Sequence, residues 1–447
     1  MSKNSGNRQK DIPARGKTVS FHTLGCKVNQ YETQVLRERF AALGFTDVGE
    51  SETADVCVIN TCTVTGLSDR KSRQFIRRAR KLNPDGIVAA IGCYAQMNPR
   101  EVGAMPEVDI VLGSAEKGRL PELVAAYEKD RKKRSDIRPF SSYFDSLSLG
   151  PEKTRAYIKI QDGCDRRCAY CVIPHARGSS RSRPADEIES EALALIRGGY
   201  KELVLTGINP ALYGADYSQE GCDHGVHTIV ERLNALGGDF RIRLGSLEPT
   251  VVDARYVKRL FAYEKLCPSL HLSVQSGSSR VLSAMRRAYD REDYLDIIHT
   301  LRRHDPSYGV STDIIAGFPG ETDEDFADSL SLLGEVDFSR VHVFRFSKRE
   351  ATPAAAMPGQ VSAALKAERA EQLISAGEYS AAAFLERELG TVKTVLPERV
   401  DSESGLLEGL TENGIRVYFA GEESLCGDFV RVRTSSPMKD GLFGYAL

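Results

Sequence analysis

Residues 156–171 read Ala156-Tyr-Ile-Lys-Ile-Gln161-Asp-Gly-Cys164-Asp-Arg-Arg-Cys168-Ala-Tyr170-Cys171. A strand candidate, Ala156–Gln161, runs directly into three cysteines with Cys-x3-Cys-x2-Cys spacing. Three thiolates this close can hold three irons of a 4Fe–4S cluster and leave the fourth without a protein ligand. That open iron can bind a small molecule through amino and carboxylate groups. Closed zinc sites need four ligands and usually pair Cys-x2-Cys units, and no second pair lies nearby. The triad also stands at the carboxyl end of a strand, where barrel enzymes place their chemistry.

Downstream, five more strand candidates follow: Glu202–Thr206, Arg241–Leu247, Leu270–Gln275, Val310–Ala316 and Arg340–Phe346. Helical segments near 186–198, 226–236, 251–263, 278–303 and 321–334 separate them, and an Ala/Glu-rich helix at 361–389 closes the series. Six βα units predict a partial (β/α)6 barrel over 154–389, since a full one needs eight. Residues 390–447 carry short alternating strands and turns, which predicts a small antiparallel β-barrel.

Upstream, apolar runs at 18–24, 55–59 and 87–91 read as buried parallel strands. A helix from about Glu32 places Leu36, Phe40 and Leu43 on one face, and Arg70–Lys81 forms a second helix. The pattern predicts an α/β domain with a short parallel sheet over 18–127. Residues 128–153 read as a charged linker and residues 1–17 as a disordered basic tail.

The 447 residues are 41% hydrophobic and 27% charged, an ordinary balance for a soluble protein. No apolar stretch approaches the ~18 residues of a membrane span, and the start of the chain lacks a secretory apolar region. A cytosolic protein without a membrane partner is expected. Net charge is −2, so nucleic acid must be met by local basic patches. Ten cysteines in such a chain point to metal or redox chemistry rather than disulfides.

Cys26, Cys62 and Cys93 are too far apart to form a spacing motif, yet each follows the carboxyl end of a predicted strand. In an open parallel sheet those ends share one edge, where ligands bind. Taken alone, the three are read equally well as buried structural cysteines. Cys57, mid-strand, reads as core.

The words around these cysteines carry a resemblance. The triad with Tyr170 before its last cysteine resembles the radical S-adenosylmethionine superfamily. Thr23-Leu-Gly-Cys26-Lys-Val-Asn-Gln-Tyr-Glu32, Asn60-Thr-Cys62-Thr-Val-Thr65 and Gly92-Cys93-Tyr-Ala-Gln96 resemble the N-terminal domain of the methylthiotransferases. The form around Cys26 is similar to the branch acting on N6-threonylcarbamoyladenosine in tRNA. Residues 390–447 resemble the TRAM domain, an RNA-binding, OB-like module. The resemblance implies a second 4Fe–4S cluster on Cys26, Cys62 and Cys93 besides the one on Cys164, Cys168 and Cys171. It also implies two S-adenosylmethionine molecules, methylthio transfer to C2 of the adenosine 3′ of the anticodon (position 37), and a flavodoxin or ferredoxin as electron donor.

For the cofactor pocket the resemblance implicates Tyr170, Gly207, Ser246, Glu248, Gln275, Arg287, Gly317 and Pro319, all at or near strand ends. Glycine and proline are also common in ordinary barrel loops. Pro210 after Asn209, and Arg345, depart from the family pattern. For RNA, Arg70, Arg73, Arg77 and Arg80 fall near one helix face with no acidic partners in the helix to pair them. In the C-terminal module Arg416 and Tyr418 alternate with apolar residues, so both are expected to face outward, as are Arg431 and Arg433. The rival readings are the same chemistry on isopentenyladenosine tRNA or a ribosomal protein, and a zinc-containing, non-catalytic RNA-binding protein.

Overall fold

The computed structural model describes residues 16–115, 117–140, 154–217, 225–250 and 252–447. The basic tail before Gly16 and the second half of the expected linker lie outside them. The chain divides into two compact units, 1–148 and 149–447.

In the first unit strands β1 (Thr18–Thr23), β2 (Thr46–Val48), β3 (Val56–Thr61), β4 (Ile87–Gly92), β5 (Ile110–Leu112) and β6 (Arg134–Asp136) form one parallel sheet. Its order is β2-β1-β3-β4-β5-β6, so chain direction across the sheet reverses between β1 and β3. Alternation along β3 divides the core. Val56 and Val58 face one layer with Leu36 and Phe40, whereas Cys57 and Ile59 face the other with Ile76 and Ala79. Cys57 is core, as expected, with its sulfur 2.9 Å from Ser20 Oγ.

Two expectations for this unit are corrected. The first part of the expected linker is packed structure: residues 128–130 close the helix Leu120–Asp130, and β6 extends the sheet. The first helix is Lys27–Ala42, with Cys26 itself as N-cap, and so begins before Glu32.

The second unit is built on β7 (Arg155–Asp162), β8 (Arg181–Ser182), β9 (Glu202–Gly207), β10 (Arg241–Leu244), β11 (Ser246–Leu247), β12 (Ser269–Leu272), β13 (Gly309–Ala316) and β14 (Arg340–Arg345). The expected third strand breaks at Gly245 into β10 and β11. Parallel pairing runs β7-β9-β10 and β11-β12-β13-β14, with β8 a short antiparallel strip on β7. Ile158, Leu205, Ile242, Leu272 and Ile314 point outward into one core beneath the surrounding helices. This is the expected partial barrel.

Strands β15 (Val392–Val400), β16 (Leu407–Thr411), β17 (Arg416–Phe419), β18 (Val430–Met438) and β19 (Gly441–Ala446) close into a small barrel. All its pairings are antiparallel except β17 with β19. Phe384, from the helix Ala363–Arg387, fills its core beside Val417 and Val432.

A buried charge cluster fastens this barrel to the amino ends of the large-barrel strands. Glu202 is fully buried and meets Arg155 at 2.8 Å, Arg241 at 2.7 Å and Arg243 at 2.9 Å. Arg241 donates onward to the carbonyls of Thr394 and Leu410, and Arg243 to that of Thr411.

Candidate metal centres

The sheet register decides where the early cysteines go. Thr61 on β3 pairs with Gly92 on β4, so Cys62 and Cys93 leave adjacent strands at the same level. Thr23 on β1 pairs with Asn60, and the Leu24 N–H donates to the Asn60 carbonyl at 2.9 Å. The turn to Cys26 therefore starts beside the turn to Cys62. All three lie at the carboxyl edge, across the β1/β3 reversal where open α/β sheets bind ligands.

Two glycines allow the close approach. Gly25 (φ +96°) brings backbone so near Cys62 that a Cβ there would stand 2.9 Å from its sulfur. Gly92 (φ +95°) would meet the Thr61 carbonyl at 2.8 Å. Burial pushes the Cys62 thiol up to about 11, and the charges of Cys93 and Cys26 add to the rise. Cys62 and Cys93 are buried and Cys26 is exposed.

Sequence reasoning missed the support beneath them. Lys117 is fully buried and donates to Glu32 at 2.5 Å, Asn60 at 2.9 Å and Asn29 at 3.4 Å. Asn29 in turn donates to the carbonyls of Leu24 and Thr61. One network therefore ties the turns that carry Cys26 and Cys62. Nothing local marks Lys117, which is 85 residues from Glu32.

Cys164, Cys168 and Cys171 occupy the loop after β7, as expected. Burial raises all three thiols, Cys171 to about 12; the Cys168 charge adds to the rise at Cys164 and Cys171, whereas Arg287 opposes the rise at Cys168. The Arg287 guanidinium lies 3.4 Å from the Cys168 sulfur, and the Asn209 amide 3.9 Å from that of Cys164. Glu248, buried, holds Arg287 at 2.8 Å, Asn209 at 2.7 Å and Arg166 at 3.1 Å. Arg287 Nε is buried and finds no hydrogen-bond partner among the described residues.

Among the described residues no three His, Cys, Asp or Glu side chains gather around one point as a single metal ion requires. A four-iron cluster binds each thiolate to a different iron and so takes them at wider spacing. Donors aimed at two of the sulfurs, with a spare buried N–H, suit an electron-rich iron–sulfur group.

The other proposed pocket residues are spread around the same barrel mouth. Gln275 is nearly buried in the left-handed region (φ 71°), held by its N–H to the Asp313 carbonyl and its carbonyl to the Ile315 N–H. Such a conformation in a glutamine costs free energy and marks functional sites. Ser246 is exposed, 3.1 Å from Ser273 Oγ, and Tyr170 packs on an apolar cluster with Met285 and Phe318. Gly207 sits where a Cβ would be 3.0 Å from the Gln161 carbonyl. Its closest backbone approach is to β7. Gly317 gives its N–H to Glu321 at 3.0 Å, and Pro319 is buried. Pro210, the departure after Asn209, opens a short 3-10 turn, Pro210–Leu212.

The basic surfaces need more correction. Arg73 meets Glu101 at 3.2 Å and Tyr94 at 2.9 Å, and Arg77 is 3.9 Å from Glu107. Arg80 pairs with Asp109 and donates to the carbonyls of Asn83, Pro84 and Gly86. The acidic partners come from the segment after β4, not from the helix. Arg70 remains exposed. Tyr418 is buried rather than outward-facing: its hydroxyl donates to Asp440 at 3.0 Å and Lys439 covers its ring. Arg416 is half-buried and pairs with Glu408 and Asp440. Arg431 and Arg433 are exposed, as expected.

Comparison with known proteins fits this geometry. Residues 158–333 match the radical SAM superfamily, and residues 18–113 match uncharacterized protein family UPF0004. Threonylcarbamoyladenosine tRNA methylthiotransferase MtaB of Bacillus subtilis is 38% identical over 95% of this chain and 96% of its own. The protein of that name from Thermotoga maritima is 36% identical over 95% and 96%. The tRNA-2-methylthio-N(6)-dimethylallyladenosine synthase of Pelotomaculum thermopropionicum is 35% identical over 92% and 93%. Among solved structures, the radical S-adenosylmethionine methyltransferase TsrM of Kitasatospora setae shares the fold, with TM-score 0.56 at 15% identity over 80% of this chain and 85% of that one. Long relatives of this identity, matched through both units, show that the chain belongs to the radical S-adenosylmethionine methylthiotransferase family.

Proposed function

We propose that the chain is a tRNA N6-threonylcarbamoyladenosine C2-methylthiotransferase, acting in the cytoplasm on the adenosine 3′ of the anticodon (position 37). The observation that carries this is the first trio: three cysteine-bearing turns leave three adjacent strands at one sheet edge. An enzyme that only made radicals would need the barrel triad alone. The threonylcarbamoyl substrate is supported by the names of the first relatives and by the residues around Cys26.

On this reading Cys164, Cys168 and Cys171 hold one 4Fe–4S cluster, and Cys26, Cys62 and Cys93 hold a second. When bound, the clusters and two S-adenosylmethionine molecules supply a carbon radical and an activated methylthio group. An adenine C2–H is too weak an acid for a side-chain base near neutral pH, so radical chemistry is the route suited to this position.

The chain's own residues hold and shield. Arg287 and Asn209 donate toward the Cys168 and Cys164 sulfurs, and Glu248 keeps both donors in place. Tyr170, Gly207, Ser246, Gln275, Gly317 and Pro319 shape the cofactor side of the mouth with Glu248 and Arg287. Arg70, Arg431 and Arg433 offer exposed charge to phosphates. A flavodoxin or ferredoxin delivers electrons. Among the described residues no helix is long and apolar enough to cross a membrane.

The test is an anaerobic assay with an anticodon stem–loop bearing threonylcarbamoyladenosine. Wild type forms the 2-methylthio nucleoside. Cys62→Ala still cleaves S-adenosylmethionine but transfers no sulfur, and Cys168→Ala does neither. Sulfur transfer by Cys62→Ala contradicts the proposal.

A further inference from the structure

Alternation gives β12, β13 and β14 two different faces. Leu270, Ile314 and Val343 turn outward into the core beneath the helices. The inward face carries a polar patch. His271 pairs in register with Ser311, and Asp313 with His342, so neighbouring strands bring these side chains to one patch.

The patch is wired together. His271 Nδ1 lies 2.9 Å from Ser311 Oγ, and its Nε2 lies 3.1 Å from Asp313 Oδ2. Ser273 donates to the same Asp313 oxygen at 2.8 Å, and the His342 ring is centred 5.9 Å from that of His271. The His271 and Asp313 side chains keep 20% and 24% of their surface open. Both are reachable from solvent. Two residues beyond His342 on the same face, Phe344 is 46% exposed.

A strand aromatic left this open, next to a hydrogen-bonding cluster, suits a stacked nucleobase with a polar substituent. The cluster offers imidazole donors to a carboxylate and a carboxylate acceptor to N–H or O–H groups. An aliphatic chain placed there would strip these groups of water and give nothing back.

We infer that His271, Asp313 and His342 form the subsite for the hydroxyl- and carboxylate-bearing N6 chain of the target adenosine, with Phe344 as the platform for its base. The inference rests on the threonylcarbamoyladenosine reading above and adds the residues that select it.

The test uses anaerobically purified, iron-loaded enzyme and two anticodon stem–loop RNAs. They differ only in whether the target adenosine carries N6-threonylcarbamoyl. Wild type is expected to bind the modified RNA at least about tenfold more tightly, the discrimination expected of a site built to hydrogen-bond its ligand. The double variant His271→Ala/His342→Ala loses that preference while its affinity for unmodified RNA and its iron content stay unchanged. Asp313→Asn, nearly isosteric, lowers the preference with the fold kept. A preference retained in both variants, or both RNAs weakened alike, overturns the subsite. No preference in wild type refutes the substrate reading itself, and the subsite with it.

Discussion

Arg287 and Cys168 are linked directly: a guanidinium nitrogen lies 3.4 Å from the cysteine sulfur, although the two are 119 residues apart. The same nitrogen is 2.8 Å from Glu248. A cation buried against a thiolate ligand favours the more negative, reduced state of whatever the thiolates hold.

Arg287→Gln is therefore expected to shift the barrel cluster's midpoint potential to more negative values and to slow S-adenosylmethionine cleavage. Redox titration followed by electron paramagnetic resonance measures the shift. Losing a hydrogen bond to buried Glu248 also costs about 1.5–3 kcal/mol of stability. An unchanged potential contradicts this role.

Lys117 should matter as much to the first trio. Lys117→Met leaves Glu32 buried without its cation, a change worth about 3–5 kcal/mol. Bound iron is expected to fall from about eight to about four per chain, because only the barrel triad still fills. Iron analysis beside cofactor-cleavage activity checks this, since cleavage should survive.

Glu202 gives a pH signature. Burial opposes its charge, but Arg243, Arg241 and Arg155 more than offset that and hold its carboxyl well below the usual range. A carboxyl depressed on folding stabilises the protein above its unfolded value of about 4.3, and this stabilisation fades as pH falls toward the folded value. Denaturant unfolding of the cluster-free protein at pH 7 and near pH 4 should show this loss in wild type and a smaller one in Glu202→Gln.

The two surface arginines of the small barrel should behave differently from their neighbours. Replacing Arg431 and Arg433 by alanine is expected to weaken RNA binding evenly across sequences and to reduce the salt slope by about two. Tyr418→Ala, which opens a packed, hydrogen-bonded site, should lower thermal stability instead. Binding at several salt concentrations, with melting curves, separates them.

Much of this was legible in the residues. The apolar runs at 18–24, 55–59 and 87–91 are the strands β1, β3 and β4, and each of the six expected barrel strands has a counterpart, the third broken in two at Gly245. The short edge strands β2 and β6 were not, because three residues such as Arg134–Asp136 carry no apolar period. The Arg73 and Arg80 pairings are set by acids 28 and 29 residues further on, which a helix-local reading cannot see. Tyr418 was misread because alternation assumes one wet face. In this closed barrel the β18–β19 turn residues Lys439 and Asp440 cover the other face too. The cysteine spacing points to one candidate centre directly. The other candidate becomes legible only with the sheet register.

The central claim is that this chain carries a radical-forming thiolate trio and a second, sulfur-donating trio, and needs both to methylthiolate a tRNA adenosine. Nucleoside mass spectrometry of tRNA from a strain lacking this gene tests it most directly. The 2-methylthio form of N6-threonylcarbamoyladenosine should vanish while the unthiolated nucleoside accumulates, with recovery by the wild-type gene but not by Cys62→Ala. An unchanged profile, or loss of only the isopentenyladenosine derivative, contradicts it.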